Sequence, residues 1–533
     1  MDLLNSLFQS APWGPLRLGL HAVFLLAAIF VLKRVLDLRA VVGLKHLAKP
    51  RAGFALAGML MLAGFGAVLA YQATWQLSGT ARPQFIAFMQ LHDRRQFNPA
   101  HWIERGRILD VAGTVLAESR VVQTPAGPTA QRYYPLGPDF AHVVGYADPR
   151  FGAAGIEAAA NIQLNGGTPD SLADWGALGR QLLTQGKRPK GNDVTLTLDA
   201  ALQRLAMERL GERAGAVVLL RPQDGAVRVL ASNPSFDPGR IEADLFLRAD
   251  PQARLLNRAT AGLYPPGSTF KVVLAADALD RGFNGLIECP ADGWTTSRHY
   301  RKIRDHDYYE ARRAGRTWQG YGRIGLTTAL VESSNVFFAQ LGVHLGHDAF
   351  RATTERFLFN SRIALGAGNS RPQFMRTGRI PRIANADRYG LAQASIGQGK
   401  VLATPAQMAL IAAAVANDGV AVRPYLIAGE QPAAVGRFMQ PATARQLQVM
   451  LRRAVAEGTG RGIETPGLAI AGKTGTAENS FGASHSWFMG FAPADRPALA
   501  FAVLVEHGGY GSTAAAPIAR DLLLLAEQRG HLP

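Results

Sequence analysis

Residues 255–279 read LLNRATAGLYPPGSTFKVVLAADAL, and how this stretch is read decides the rest of the chain. Pro265, Pro266 and Gly267 close a turn, and an unbroken run of helix formers then begins with Ser268 in its first turn. A serine at i and a lysine at i+3 share a helix face, so the Lys271 ammonium can approach the Ser268 hydroxyl. A lysine buried there loses its charge readily and can act as a base. The helix start also offers backbone N–H groups to a developing oxyanion. Taken alone, Ser-x-x-Lys is a weak signal, more often an N-cap serine followed by a solvated lysine than a catalytic pair.

The 533 residues leave room for two to four domains and a large core. Apolar residues make up 48% of the chain, unevenly placed. Residues 18–32, LGLHAVFLLAAIFVL, hold one polar side chain, His21, and residues 52–71, AGFALAGMLMLAGFGAVLAY, hold no charge. The second run is long enough to span a bilayer, and the first reaches that length only with its flanks. Two helices, about 16–36 and 52–73, are therefore expected to cross the membrane. Between them lie Lys33, Arg34, Arg39, Lys45, Lys49 and Arg51 against the single acid Asp37. By the positive-inside tendency this loop is cytoplasmic and the body after about residue 75 is outside. A cleaved signal peptide fits less well, because its basic cluster should precede the apolar run.

The formal net charge of +17 is scattered through an exported body with no basic stripe interleaved with aromatics. That argues against nucleic acid and for anionic lipid headgroups or an acidic wall polymer. The lone Cys289 can form no intramolecular disulfide, lies in no metal pattern, and is read as structural.

Residues 105–119, RGRILDVAGTVLAES, predict two short strands and a turn, and residues 120–131 a loop or edge. The block 132–167 predicts a small α+β unit ending in a helix near 156–164. From Asp193 a strand, an amphipathic helix over AALQRLAMERL, and a hairpin turning at Asp224-Gly225 follow. Helices dominate between residues 270 and about 416. The end returns to strands in LAIAGKTGTAE, HSWFMGFAP and ALAFAVLVEHG, closed by a helix over 514–529. This order predicts an α+β fold, an antiparallel sheet with helices on its faces plus an all-helical subdomain.

Two further motifs follow the opening one. Ser333-Ser334-Asn335 stands at the junction of two helical stretches, and Lys473-Thr474-Gly475-Thr476 stands on a strand where the glycine lets a ligand approach the backbone. Ser-x-x-Lys at a helix start, Ser-x-Asn in a helical region and Lys-Thr-Gly on a strand, in this order, are the three signatures of penicillin-binding proteins and serine β-lactamases. The chain resembles a penicillin-binding transpeptidase over roughly residues 193–525. Arg105-Gly106-Arg107-Ile108 and the block from Tyr134 through Gly155-Ile156-Glu157 to Gly166 resemble the non-catalytic pedestal of class B enzymes. The expected organisation is a membrane anchor (1–80), a linker and reduced pedestal (81–192), and a transpeptidase domain (193–533). There is no room for the glycosyltransferase domain of class A enzymes. Val111 and Ala112 stand where the class pattern usually has an arginine and an asparagine.

The resemblance implies a peptidoglycan D,D-transpeptidase, inhibited by β-lactams, at the bacterial inner membrane with its catalytic domain outside. Ser268 would attack a D-Ala-D-Ala peptide carbonyl with Lys271 as base. Ser333 would relay a proton toward the leaving amine while Asn335 positions Lys271 and the substrate amide. Lys473, with Thr474, Gly475 and Thr476, would bind the substrate's terminal carboxylate. An oxyanion hole from the backbone N–H groups of Ser268 and Thr476 is implied, with no metal or cofactor. The implied partners are stem peptides, the membrane and a polytopic glycan polymerase, with no nucleic acid. A D,D-carboxypeptidase or β-lactamase, and a non-catalytic scaffold for such a polymerase, stay open as alternatives. Arg304-Asp305-His306-Asp307 is read as a solvated or substrate-adjacent segment, not a metal site, and His485 as a residue lining the cleft without a catalytic role.

Overall fold

The computed structural model describes residues 104–124, 127–166, 190–246, 250–366, 372–478 and 482–533, together with residues 58, 61 and 64–67. Nearly all of both expected membrane segments therefore lies outside the described residues. Among the described residues no helix is long and apolar enough to cross a membrane. Residues 1–93 and 94–533 form two separate units, and the second holds all three motifs.

This second unit begins with a sheet of its own. Strand β1 (Ile108–Leu109) pairs antiparallel with β2 (Val115–Thr124), which pairs with β3 (Gly127–Tyr133), while β1 pairs on its other side, in parallel, with β4 (Val194–Thr195). The β1–β2 turn is built by Asp110, whose Oδ1 accepts from the backbone N–H of Ala112 (2.9 Å) and Thr114 (2.6 Å). Of residues 120–131, expected as a loop or edge, 120–124 belong to β2 and 127–131 to β3, the edge strand of this sheet. The prolines at 125 and 128 punctuate the sequence, yet the β-branched Val121 and Val122 belong to a continuous strand.

Behind this sheet the short helix Gly155–Ala159 buries Glu157 completely. Its two oxygens accept from Arg132 Nε at 2.6 Å and Arg105 Nε at 2.7 Å. Burial opposes ionisation, but the two guanidiniums hold the Glu157 carboxyl below its usual range.

The larger sheet carries the site. Its strands, in spatial order, are β7 (Ala471–Ala477), β8 (His485–Ala492), β9 (Leu499–Val505), β5 (Gly215–Leu220) and β6 (Val227–Asn233), and every neighbouring pair is antiparallel. GAVVLL, HSWFMGFA and LAFAVLV are buried at every position, because helices cover both faces of the sheet. On one face lie α1 (Ala200–Leu210) and the C-terminal α9 (Ala515–Gln528), packed through Leu202, Leu210, Leu522 and Leu523 against Val217 and Phe501. On the other lies α7 (Pro405–Ala416), buried along its whole length. It is capped by Thr404, which accepts from Gln407 N at 3.1 Å, and started by Pro405 at its first position. Asp199 caps α1 and also accepts from Arg529 and His531, both at 2.8 Å, which ties the chain's end to the start of the domain.

The helical part inserted between β6 and β7 supplies α2 (Lys271–Asp280), α3 (His306–Arg313), α4 (Leu326–Val331), α5 (Asn335–Leu345), α6 (Arg388–Ser395) and α8 (Pro441–Ala456). Strand β7 is an edge strand, so it presents unpaired backbone to the helical side.

Glu157→Ala should lower stability by about 3–5 kcal/mol, because Arg105 and Arg132 would remain buried without their carboxylate. Urea unfolding monitored within the 94–533 body measures the shift.

Candidate active site

Ser268 sits in a single tight helical turn, Gly267–Phe270, that leads directly into α2. The turn is pinned from three sides. Gly267 N donates to Gly397 O at 3.0 Å, Tyr264 pairs with Ala403, and the indole N–H of Trp487 on β8 donates to Pro265 O at 2.9 Å. Gly267 has φ of +54°, and a Cβ there would come within 2.8 Å of Thr476 O. A Cβ on Gly475 would in turn lie 2.9 Å from Thr269 Cγ2 and 3.0 Å from Pro266 O. Each glycine is therefore required because the Ser268 turn and the Lys-Thr-Gly strand run in close contact.

One helical turn on, Lys271 is fully buried. Its Nζ donates to Ser333 O (2.6 Å), Asn335 Oδ1 (2.7 Å) and Ser333 Oγ (3.3 Å). Burial, then the charge of Lys473, push its ammonium well below the ordinary lysine range, with Asp305 pulling the other way. A lysine so placed can take a proton. Ser268 is half-buried, and its hydroxyl has no hydrogen-bond partner among the described residues.

The junction between α4 and α5 holds Ser333 at φ of +61°, a conformation non-glycine residues seldom adopt. Ser334 N donates to Ala329 O (2.9 Å), and Ser334 Oγ accepts from Phe337 N (3.1 Å) as the cap of α5. With Glu332 N donating to Thr328 O (2.9 Å) just before it, the strained residue is fixed on both sides, its carbonyl accepting from Lys271.

On β7, Lys473 is 1% exposed and Thr474 8%. Lys473 Nζ donates to Thr459 Oγ1 and Thr474 O, both at 3.3 Å, and the Thr459 and Thr474 hydroxyls are 2.8 Å apart. Burial pushes the Lys473 ammonium down to about 7, against the raising influence of Glu332. The three motifs therefore meet. Lys271, Ser333 and Asn335 are joined by hydrogen bonds, Lys473 is close enough to repel Lys271, and Gly475 abuts the Ser268 turn.

Other residues depart from the sequence reading. Asp305, taken with its neighbours as solvated or substrate-adjacent, is 2% exposed. Its Oδ1 accepts from Ser334 Oγ (2.9 Å) and Val336 N (3.0 Å), while His306 points to solvent. The preceding carbonyl, Arg304 O, accepts from Asn335 Nδ2 at 3.0 Å, which sets the amide so that its oxygen faces Lys271. No spacing in the sequence marks Thr459, Asp305 or Glu332; only the folded chain brings them to the lysines. His485 is 8% exposed, packed edge-on against Tyr264 (5.6 Å between ring centroids), its Nδ1 accepting from His507 N at 3.2 Å. Cys289 is buried and free, 3.8 Å from Ser334 Oγ. Among the described residues no cluster of three His, Cys, Asp or Glu side chains could hold a metal.

A serine at a helix start, one turn from a buried lysine with a depressed pKa and beside a second cation on an edge strand, is the equipment of a serine acyltransferase. Residues 215–524 match the penicillin binding protein transpeptidase domain, and residues 105–194 the penicillin binding protein A dimerisation domain. The peptidoglycan D,D-transpeptidase PbpA of Mycolicibacterium smegmatis is 33% identical over 80% of this chain and 90% of its own. The peptidoglycan D,D-transpeptidase MrdA of Acinetobacter baumannii is 30% identical over 72% of this chain and 64% of its own. Penicillin-binding protein A from M. tuberculosis, solved as a ceftriaxone acyl-enzyme complex, superposes with a TM-score of 0.69 at 29% identity, covering 80% of this chain and 98% of that one. The chain belongs to the penicillin-binding protein transpeptidase family.

Gly475→Ala should cost about 1–3 kcal/mol of stability, because the new methyl meets Thr269, Pro266 O and Trp487 Cβ at 2.9, 3.0 and 3.1 Å. The shift in thermal midpoint measures it.

Proposed function

We propose that the chain is a membrane-anchored peptidoglycan D,D-transpeptidase that works through an acyl-enzyme on Ser268. The observation that carries this reading is Lys271, buried, depressed in pKa, and held by Ser333 and Asn335 one turn from the serine. Ser268 Oγ attacks the carbonyl of the D-Ala-D-Ala bond of a stem peptide as its proton passes to Lys271 Nζ. The tetrahedral oxyanion takes hydrogen bonds from the backbone N–H groups of Ser268 and Thr476. Ser333 Oγ, 3.3 Å from Lys271 Nζ, relays the proton to the departing D-alanine amine. An amine of a second stem peptide then attacks the ester and forms the cross-link, regenerating the serine.

Lys473 and the hydroxyls of Thr474 and Thr476 bind the terminal carboxylate. That anion returns to Lys473 the charge partner its buried ammonium otherwise lacks, and so draws its proton back on. β-Lactams carry a carboxylate and a reactive carbonyl at comparable positions, which accounts for their acylating the same serine. We further propose that the two apolar segments, 16–36 and 52–73, anchor the enzyme in the inner membrane and dock it to a polytopic glycan polymerase, since neither matched domain, transpeptidase or dimerisation, polymerises glycan.

Fluorescent penicillin should label the protein covalently, with mass spectrometry placing the adduct on Ser268. Labelling of Ser268→Ala at the wild-type level would overturn the assignment. The acylation rate should rise with pH as Lys271 loses its proton, with a midpoint far below the ordinary lysine value of about 10.4. Affinity for the carboxylate-bearing ligand before acylation should instead fall as pH rises through about 7, where Lys473 loses its charge. Stopped-flow acylation across pH separates the two limbs.

A further inference from the structure

Asp305 is a buried carboxylate at the back of the Ser333–Asn335 junction, and no step of the acyl transfer uses it. It lies immediately before α3, far in sequence from every motif, yet its Oδ1 accepts from Ser334 Oγ and Val336 N, the residues on either side of Asn335. The backbone carbonyl just before it, of Arg304, orders the Asn335 amide. The other oxygen, Oδ2, is buried with no hydrogen-bond partner. A carboxyl in an apolar site, satisfied on one oxygen only, is costly to keep unless its position serves something.

We propose that Asp305 is a positioning residue for acylation: by fastening the first turn of α5 it holds Ser333 and Asn335 against Lys271 Nζ and sets a negative charge behind the base. This rests on the transpeptidase reading. Asp305 touches neither the nucleophile nor the substrate, and it acts through Ser334, Val336 and the base they surround.

Charged and titratable groups face this pair from several elements. Lys271 on α2 is faced by Lys473 from β7 and by Asp305, and Glu332 at the end of α4 faces Lys473. Asp305 is faced by Lys271, by the Cys289 thiol from the strand Ile287–Pro290, and by the Tyr321 phenol from the strand Gly320–Ile324. Of these, only Asp305 favours the protonated form of Lys271. Removing its charge should therefore make the neutral base available at lower pH.

The test is stopped-flow acylation of the full-length protein by fluorescent penicillin across pH, for wild type, Asp305→Ala and Asp305→Asn, with melting temperatures alongside. Asp305→Ala should acylate about ten- to a hundred-fold more slowly, the scale set by a small misplacement of a catalytic group. Asp305→Asn keeps an acceptor for Ser334 and Val336. It should recover to within about threefold of wild type at its optimum, with the rising limb moved to lower pH. Two results would overturn the proposal: Asp305→Ala acylating as wild type does, or Asp305→Asn folding normally yet as slow as Asp305→Ala with its limb unmoved, which leaves only a packing role. A wild-type protein that takes up no penicillin on Ser268 would overturn the transpeptidase reading instead, so the two failures are distinguishable.

Discussion

Two lysines, Lys271 and Lys473, lie almost wholly out of water in one cleft, and neither is bonded to a carboxylate. Burial disfavours the charge of both, and Lys473 further disfavours that of Lys271. The fold has to hold this arrangement while meeting the cost of desolvating two ammonium groups, which in a relaxed protein interior amounts to several kcal/mol per ion. It does so with neutral oxygens: a backbone carbonyl, an amide and a hydroxyl around Lys271, and a hydroxyl and a carbonyl around Lys473. Neutral acceptors satisfy the N–H donors without making either proton hard to remove. A bonded carboxylate would have held Lys271 in its charged form and closed it as a base.

Such a site needs walls that do not move. The edge strand β7 and the Ser268 turn are in close contact at Gly267 and Gly475, and Trp487 on the neighbouring strand reaches over to fasten Pro265. The sheet behind them is apolar on both faces, packed by α7 on one side and by α1 and α9 on the other. The third wall, the α4–α5 junction, hangs on local capping: Ser334 caps α5, Asp305 receives the Ser334 hydroxyl and the Val336 amide, and the strained Ser333 lies between these and Lys271.

What the sequence revealed of this follows physical rules. Ser268, Lys271, Ser333, Asn335 and Lys473 stood out only as a set, three short motifs in one order on a helix start, a helix junction and a strand, each unremarkable by itself. The sheet strands were legible because their burial on both faces leaves short apolar runs. Thr459 and Asp305 were not legible, since a threonine between two glycines and an aspartate in a charged loop acquire their roles only when distant segments meet. Within 304–307 only Asp305 departs from the solvated reading, for a related reason: three charged or polar neighbours surround one buried acid, and average polarity hides a single inward side chain. The β2–β3 hairpin was obscured in the sequence by Pro125 and Pro128, which break the alternating pattern a strand would show.

The treatment of buried charge differs between the scaffold and the site. Glu157 is fully buried between two guanidiniums, Asp199 is held by Arg529 and His531, and Asp277 by Arg281 and Arg356. These carboxylates have opposite charges at bonding distance, and exchanging a proton there would weaken the fold. Around Ser268 the pairing is withheld: Lys271 and Asp305 influence each other without a bond, one oxygen of Asp305 has no partner, and Lys473 faces Glu332 only at a distance. A buried charge without its partner is unstable toward gaining one, whether a proton or an incoming ion. In the proposed mechanism that instability is what lets Lys271 accept the serine proton and gives Lys473 a preference for a ligand carrying a carboxylate. The same chain thus uses paired ions to hold its shape and keeps unpaired ones where protons must move.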